Sequence, residues 1–301
     1  MKKYILLVLL GASSYGMLAS FAKIAYGQGY IAAEITFAQA GIGAMILWMP
    51  AIYSRVKIGN LQECINWKIL LGGMGMGASA YTYYLSVQYI PASLAIVLLM
   101  QMTWISLFVE WLIYKRKPSK VESVVTIFIL ISTVLAGDLI NISNFQFSLV
   151  GIGYALLSAL MYSIYIIVTS RFGNTLPMFE KSALMMTGSA TMIFIINFES
   201  LVESTNFDLG LLKWGIFLAL FGTVIPPITF SKGMPKIGAG LSSILLTIEL
   251  PVAVLCAHLI LKEEISMQQI IGIVLMLSAI IYLNIHKNRK HKNSFEASPI
   301  Q

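Results

Sequence analysis

Residues 237–261, IGAGLSSILLTIELPVAVLCAHLIL, form an apolar run of 25 residues with one carboxylate at its middle. A helix of that length rises about 37 Å, more than the ~30 Å hydrocarbon core of a bilayer. A charge is costly at mid-membrane depth, yet Glu249 sits there. Pro251, two residues on, removes a backbone donor and frees a carbonyl. The pair therefore predicts a polar cavity at this depth and not a lipid-facing rod.

Nine further runs read the same way: 4–25, 32–53, 69–87, 92–114, 121–140, 149–169, 182–198, 214–231 and 270–285. The connections between them are short. Hydrophobic residues make up 58% of the chain and charged residues 11%, against roughly a quarter charged in a water-soluble domain, so a soluble globule is excluded. The expectation is an all-α integral membrane protein of ten transmembrane helices. The net charge of +7 does not point to nucleic acid, because the basic residues cluster between apolar runs and at the C-terminus. With the N-terminus inside, Lys2, Lys3, Arg55, Lys57, Lys68, Lys115, Arg116, Lys117, Lys120, Arg171, Lys181, Lys232 and Lys236 all fall in inner segments. Lys287, Arg289, Lys290 and Lys292 follow in the tail, and the outer segments hold Lys213 and Lys262. This asymmetry places both termini in the cytoplasm of a multi-pass protein of the cell (inner or plasma) membrane. Cys64 and Cys256 fall on opposite sides of that topology, and no disulfide, metal site or cofactor is expected.

The chain also resembles itself. At an offset of 147, Ile90, Ala92 and Leu94 meet Ile237, Ala239 and Leu241, and Lys115 and Ser119 meet Lys262 and Ser266. Tyr15 meets Tyr162, Gly41 meets Gly188, Trp67 meets Trp214, and Gly75 meets Gly222. Because the first run has this counterpart inside the chain, the Met1-Lys2-Lys3 start is read as a mature helix and not as a signal peptide. The expected organisation is a five-helix repeat over 1–147, a second over 148–287 and a basic cytoplasmic tail over 288–301. Five is odd, so the second copy is inverted relative to the first. Inverted repeats characterise secondary transporters, which bind substrate near the midplane between the halves.

The opening Gly11-Ala12-Ser13-Ser14-Tyr15-Gly16, with Phe21-Ala22-Lys23 after it, resembles the "WGSxFxxxK" start of EamA-type drug/metabolite transporters. Tyr89-Ile90-Pro91-Ala92-Ser93 is similar to the start of that family's fourth helix. Glu249-Leu250-Pro251 with Leu261-Lys262-Glu263 is similar to its "EP…LGE" ninth helix. The resemblance implies a single-chain carrier of small organic solutes, often amino acids or other metabolites, frequently outward. Two positions depart from the pattern: Tyr15 stands where tryptophan is frequent, and Gln39 where arginine is frequent.

Glu249 is the leading candidate, either as a proton-coupling carboxylate or as a partner for a substrate ammonium. The competing reading is a structural glutamate bonded to backbone that Pro251 has freed. Its repeat counterpart is Met102, so the symmetry is broken at this position. Gln101 and Trp104, three apart on the fourth run, share a face and offer an amide and a ring, or else simple packing. Tyr15 and Tyr162, with Tyr81 and Tyr84 on the third run, lie too deep for an interfacial belt and could face a cavity. Gln39 and Lys23 complete the set, Lys23 as a ligand for a substrate carboxylate or as a snorkelling lysine beside Glu34. Gly72, Gly73, Gly75 and Gly77 predict close helix contact, and Pro226-Pro227 predict a break in the eighth run.

An enzyme is not expected. His258 is followed by Leu259-Ile260-Leu261 and so lacks a His-Glu-x-x-His zinc motif, and of the aspartates only Asp138 approaches the membrane runs. A channel would show rings of charge or a filter loop. The expectation is a secondary transporter of a small organic metabolite, amino-acid-like or otherwise amphipathic, working as an exporter by alternating access. A proton-coupled uptake symporter and a membrane sensor or scaffold are the alternatives. Its partners would be the solute, the lipid bilayer and possible coupling protons, with the chain a monomer or weak dimer and no nucleic acid bound.

Overall fold

The computed structural model describes residues 1–58, 66–90, 92–137, 148–262 and 264–296. Cys64, Pro91, Asp138, the end of the 121–140 run, Glu263 and the last five residues of the tail lie outside them. Among the described residues every regular element is helical. The first half contains α1 (Lys2–Gly27), α2 (Ala32–Ile58), α3 (Trp67–Tyr89), α4 (Ala92–Leu99), α5 (Met102–Tyr114) and α6 (Lys120–Ala136). The second contains α7 (Leu149–Arg171), α8 (Met178–Ile196), α9 (Phe198–Glu203), α10 (Leu209–Leu218), α11 (Ile225–Ile237), α12 (Ala239–Leu246), α13 (Glu249–Leu261) and α14 (Met267–Glu296). Among the described residues six stretches are long and apolar enough to cross a bilayer: Lys2–Gly27, Ala32–Val56, Leu94–Tyr114, Leu149–Arg171, Leu209–Ile237 and Ala239–Leu261. Met267–Leu283 is a shorter apolar helix.

In an apolar surround, side-chain hydroxyls bond back to their own helix. Thr36 Oγ1 donates to Ala32 O at 2.7 Å, and Ser163 Oγ to Ala159 O at 2.7 Å. This is how serine and threonine are carried inside membrane helices without leaving a polar atom unpaired.

The 237–261 run is not one rod. It breaks at Thr247-Ile248, between α12 and α13, and the 92–114 run breaks at Met100-Gln101, between α4 and α5. The two breaks are related by the same offset of 147 that relates the sequences. Both second segments end on a left-handed lysine, Lys115 at φ 55° and Lys262 at φ 61°, again at that offset. The helices that follow begin with matching caps. Ser119 and Glu122 form a capping box, and Ser266 Oγ accepts from Gln269 N while Gln269 Oε1 accepts from Ser266 N at 2.9 Å. A correspondence this detailed extends the repeat from sequence to backbone.

Packing follows the same relation. α3 lies against α7 and α8, while its counterpart α11 lies against α1, the counterpart of α7. α2 packs on α8 and α6 on α14, pairs that map onto themselves. The contacts made by one half thus correspond to those made by the other. The glycines of α3 close the central contact. A Cβ on Gly73 would collide with Met185 O, one on Gly77 would lie 2.5 Å from Ser189 O, and one on Gly188 would collide with Leu70 O.

The expected break in the eighth run is present, directly before Pro226-Pro227. The prolines occupy the first turn of α11, where a missing N–H costs nothing, and the irregularity is a π-helical segment, Ala219–Val224, just before them. Two first-half residues meet that segment: the Ser14 hydroxyl donates to Phe221 O, and the Gln39 main-chain carbonyl accepts from Thr223 Oγ1 at 2.9 Å. At the C-terminus the helix starting at Met267 continues well past the expected end of the 270–285 run, to Glu296.

Candidate functional site

The break in the ninth run makes Glu249 the first residue of α13 and turns it towards α7 and α1. Tyr162 of α7 donates its hydroxyl proton to Glu249 Oε1 at 2.6 Å. α1 approaches so closely that a Cβ on Gly16 would lie 2.5 Å from Glu249 O and 2.8 Å from Val252 Cβ. Glu249 is 7% exposed. Among the described residues its Oε2 takes no hydrogen bond, and the side chain lines a cavity.

That cavity measures about 130 Å³ and is built from both halves of the chain. At about 30 Å³ per water it has room for about four waters, or one small solute. Tyr15 and Gly16 of α1, Gln39 and Thr36 of α2, and Met76, Ser79, Tyr83 and Tyr84 of α3 come from the first half. Ser158 and Tyr162 of α7, Met186 and Ser189 of α8, Thr223 of the π segment and Glu249 of α13 come from the second. Glu249 is the one acidic side chain among the described lining residues, which include no lysine, arginine or histidine. Ser79 and Ser158 exchange reciprocal bonds, Ser158 Oγ donating to Ser79 O at 2.8 Å and Ser79 Oγ to Ser158 O at 3.0 Å, and so tie α3 to α7 at the cavity wall.

Of the residues singled out from sequence, Glu249, Tyr15, Tyr162, Tyr84 and Gln39 meet at this cavity. Gln101 and Trp104 do share a face but are not among its lining residues. Trp104 Nε1 donates to Gln101 Oε1 at 2.9 Å, Gln101 Nε2 donates to Val97 O at 3.1 Å, and Trp104 is 43% exposed. Tyr81 is absent from the lining as well. Lys23 lines a neighbouring cavity of about 200 Å³ together with Glu264 and Gln269. The two cavities share Ala19, Tyr83, Ile96 and Ala253. Glu34 is fully buried and accepts from Ile31 N–H, Ser204 Oγ and Asn206 Nδ2 in place of pairing with Lys23.

Sequence reasoning missed Tyr83 and the hydroxyl residues Thr36, Ser79, Ser158, Ser189 and Thr223. Tyr83 adjoins Tyr84, and the helical step that carries one toward a cavity could have flagged its neighbour. Single serines in apolar helices carry no such signal.

Charged residues gather at one end of the bundle. Glu110 of α5 and Glu122 of α6 are both 1% exposed. Arg116 reaches Glu110 at 3.0 Å and Glu122 at 3.4 Å, and Arg171 at the end of α7 also bonds Glu110. Arg171 lies over the Tyr114 ring, 4.4 Å from its centroid. Arg55 of α2 pairs with Glu180 of α8. Each cluster joins the first half of the chain to the second. At the other end Tyr30 donates to Asp208 Oδ1 at 2.8 Å, and Trp214 Nε1 donates to Gln28 Oε1 at 2.7 Å. Asp208 caps α10, and the Leu211 N–H and then the Tyr30 hydroxyl hold its carboxyl below the usual range.

The EamA-like transporter family model matches residues 2–137 and 149–285. An uncharacterized transporter from Synechocystis sp. (strain ATCC 27184 / PCC 6803 / Kazusa) is 23% identical over 237 residues, which is 77% of this chain and 71% of that protein. A protein crystal structure superposes with a TM-score of 0.72 at 17% identity, over 92% of this chain and 96% of the other. At that identity the likeness is one of fold.

Proposed function

Because the chain belongs to the EamA-like transporter family, we propose that it is a secondary carrier of a small amphipathic organic solute, with the cavity at Glu249 as its substrate site. The observation that carries this reading is a small central cavity walled by both halves, next to the broken helix of each. Irregular backbone at membrane depth is tolerated where it lines a cavity, and carriers place their sites there. In this reading the chain forms ten transmembrane helices in two inverted five-helix repeats, 1–147 and 148–287. Both termini face the cytoplasm of a cell membrane, as the basic residues at the Arg116–Arg171 end favour. Alternating access is then a rocking of one half against the other about the α3–α7–α8 contact. The ion pairs hold the inner side shut while the cavity near Lys23 leads outward past Tyr83. Gln101, Trp104 and Tyr81 have no assigned part in binding.

The experiment is counterflow. Proteoliposomes are loaded with a pool of amino acids, amines and related metabolites, and the solutes that leave are identified by mass spectrometry. Protein-dependent exit of a selected solute class is expected. Folded protein that moves nothing from a pool spanning charged, zwitterionic and neutral solutes would overturn the carrier reading.

A further inference from the structure

We infer that the cavity takes a small organic amine: a cationic ammonium on an apolar or aromatic body, with no carboxylate. The inference rests on the cavity being the substrate site. Its first support is charge. Among the described lining residues there is one acid, Glu249, and no lysine, arginine or histidine. Seated there, an ammonium gains from Glu249 as a carboxylate, whereas a substrate carboxylate would be desolvated with no cation among the described lining residues.

The second support is geometry. Tyr162 occupies Oε1 at 2.6 Å, which fixes the carboxylate, and among the described residues Oε2 accepts no hydrogen bond. An ammonium donor can therefore bond Glu249 without displacing a protein partner, and charge-assisted bonds of this kind are the strong ones. Third, four tyrosine rings, Tyr15, Tyr83, Tyr84 and Tyr162, line the same space. Aromatic faces attract an ammonium, more so when it has shed its water. Met76 and Met186 give the solute's apolar part an adaptable wall.

Lys23 supplies the contrast. It lines the adjoining cavity, beyond the shared walls Ala19, Tyr83, Ile96 and Ala253. A zwitterionic amino acid seated on Glu249 would have to carry its carboxylate into that adjoining cavity to meet a lysine.

The test is binding to detergent-purified full-length protein, by calorimetry, of three probes with the same ring and chain: phenethylamine, phenylalanine and 3-phenylpropionate. Phenethylamine is expected to bind at least about tenfold more tightly than the other two. Glu249→Gln should weaken it by about tenfold or more, in line with loss of one charge-assisted bond, and Glu249→Asp should restore part of that loss. Binding of phenylalanine or 3-phenylpropionate as tight as that of the amine would overturn the inference. So would amine binding that Glu249→Gln leaves unchanged, or no binding of any probe by folded protein. The carrier reading fails separately. Amine that binds but is not moved in counterflow sinks transport and leaves the amine site standing, while phenylalanine moved with the amine excluded sinks the amine site and leaves the carrier.

Discussion

The Tyr162 hydroxyl donates to Glu249 Oε1 across 2.6 Å, joining α7 to the first residue of α13 inside the central cavity. Tyr162→Phe keeps the ring and removes that donor, leaving the carboxylate oxygen buried without its partner. A loss of about 1–3 kcal/mol in stability is expected. Thermal unfolding in detergent checks it, and an unchanged midpoint would show that the bond holds nothing in place.

Gly16 and Gly153 make a matched pair. A Cβ on Gly16 would meet Glu249 O at 2.5 Å and Val252 Cβ at 2.8 Å, while one on Gly153, also helical, would meet nothing within 4 Å. Backbone cannot step aside as a flexible side chain does. Gly16→Ala is expected to destabilise the protein by roughly 1–3 kcal/mol and to disturb solute binding. Gly153→Ala should be neutral or stabilise by about 0.5–1 kcal/mol. Equal effects at the two sites would argue against the close contact.

Glu110 is buried, yet its partners Arg116 and Arg171 are 39% and 35% exposed, so the pairs are partly screened by solvent. Glu110→Gln is expected to cost roughly 1–3 kcal/mol, between the values for exposed and buried pairs. The cost should shrink in an Arg116→Gln, Arg171→Gln background, as a double-mutant cycle of unfolding midpoints would show. Full additivity would mean that the network does not couple the halves.

Asp208 gives a pH dependence of known sign. Bonds from Leu211 N–H and Tyr30 hold its folded carboxyl below the ordinary value, so its contribution is present above that value and lost as pH falls through the folded one. Hydrogen exchange at Leu211, corrected for the intrinsic rate, is expected to lose protection as pH drops from about 5 into that range. Asp208→Asn retains an acceptor and should remove the dependence. Protection that falls equally in both proteins would rule Asp208 out as its source.

Much of the fold could be read from sequence because the repeat is exact in spacing. One offset relates Tyr15 to Tyr162, and the same offset relates the two helix breaks, the two left-handed lysines and the two serine caps. Glu249 stood out because a lone carboxylate inside a 25-residue apolar run has a physical cost that demands a reason. The break at Thr247-Ile248 was signalled by Pro251, whose missing N–H frees the Thr247 carbonyl four residues back, while the one at Met100-Gln101 was hidden, with no proline or glycine near it. Pro226-Pro227 marked a real interruption of the eighth run, which takes the form of a π segment with the prolines in the first turn of the helix after it. Glu110 gives no sign of burial in the sequence, because its partner Arg171 lies 61 positions away in the chain. Gln101 and Trp104 were paired correctly by helical spacing, but spacing cannot say which way a shared face points.

Counterflow by wild-type protein and Glu249→Gln, reconstituted side by side at equal folded yield, tests the central claim most directly. Wild-type protein is expected to exchange its solute. The variant should show an apparent affinity lower by about tenfold or more, the worth of one charge-assisted bond to the carboxylate. Exchange with wild-type kinetics in a correctly folded Glu249→Gln protein would contradict the assignment of this cavity as the substrate site.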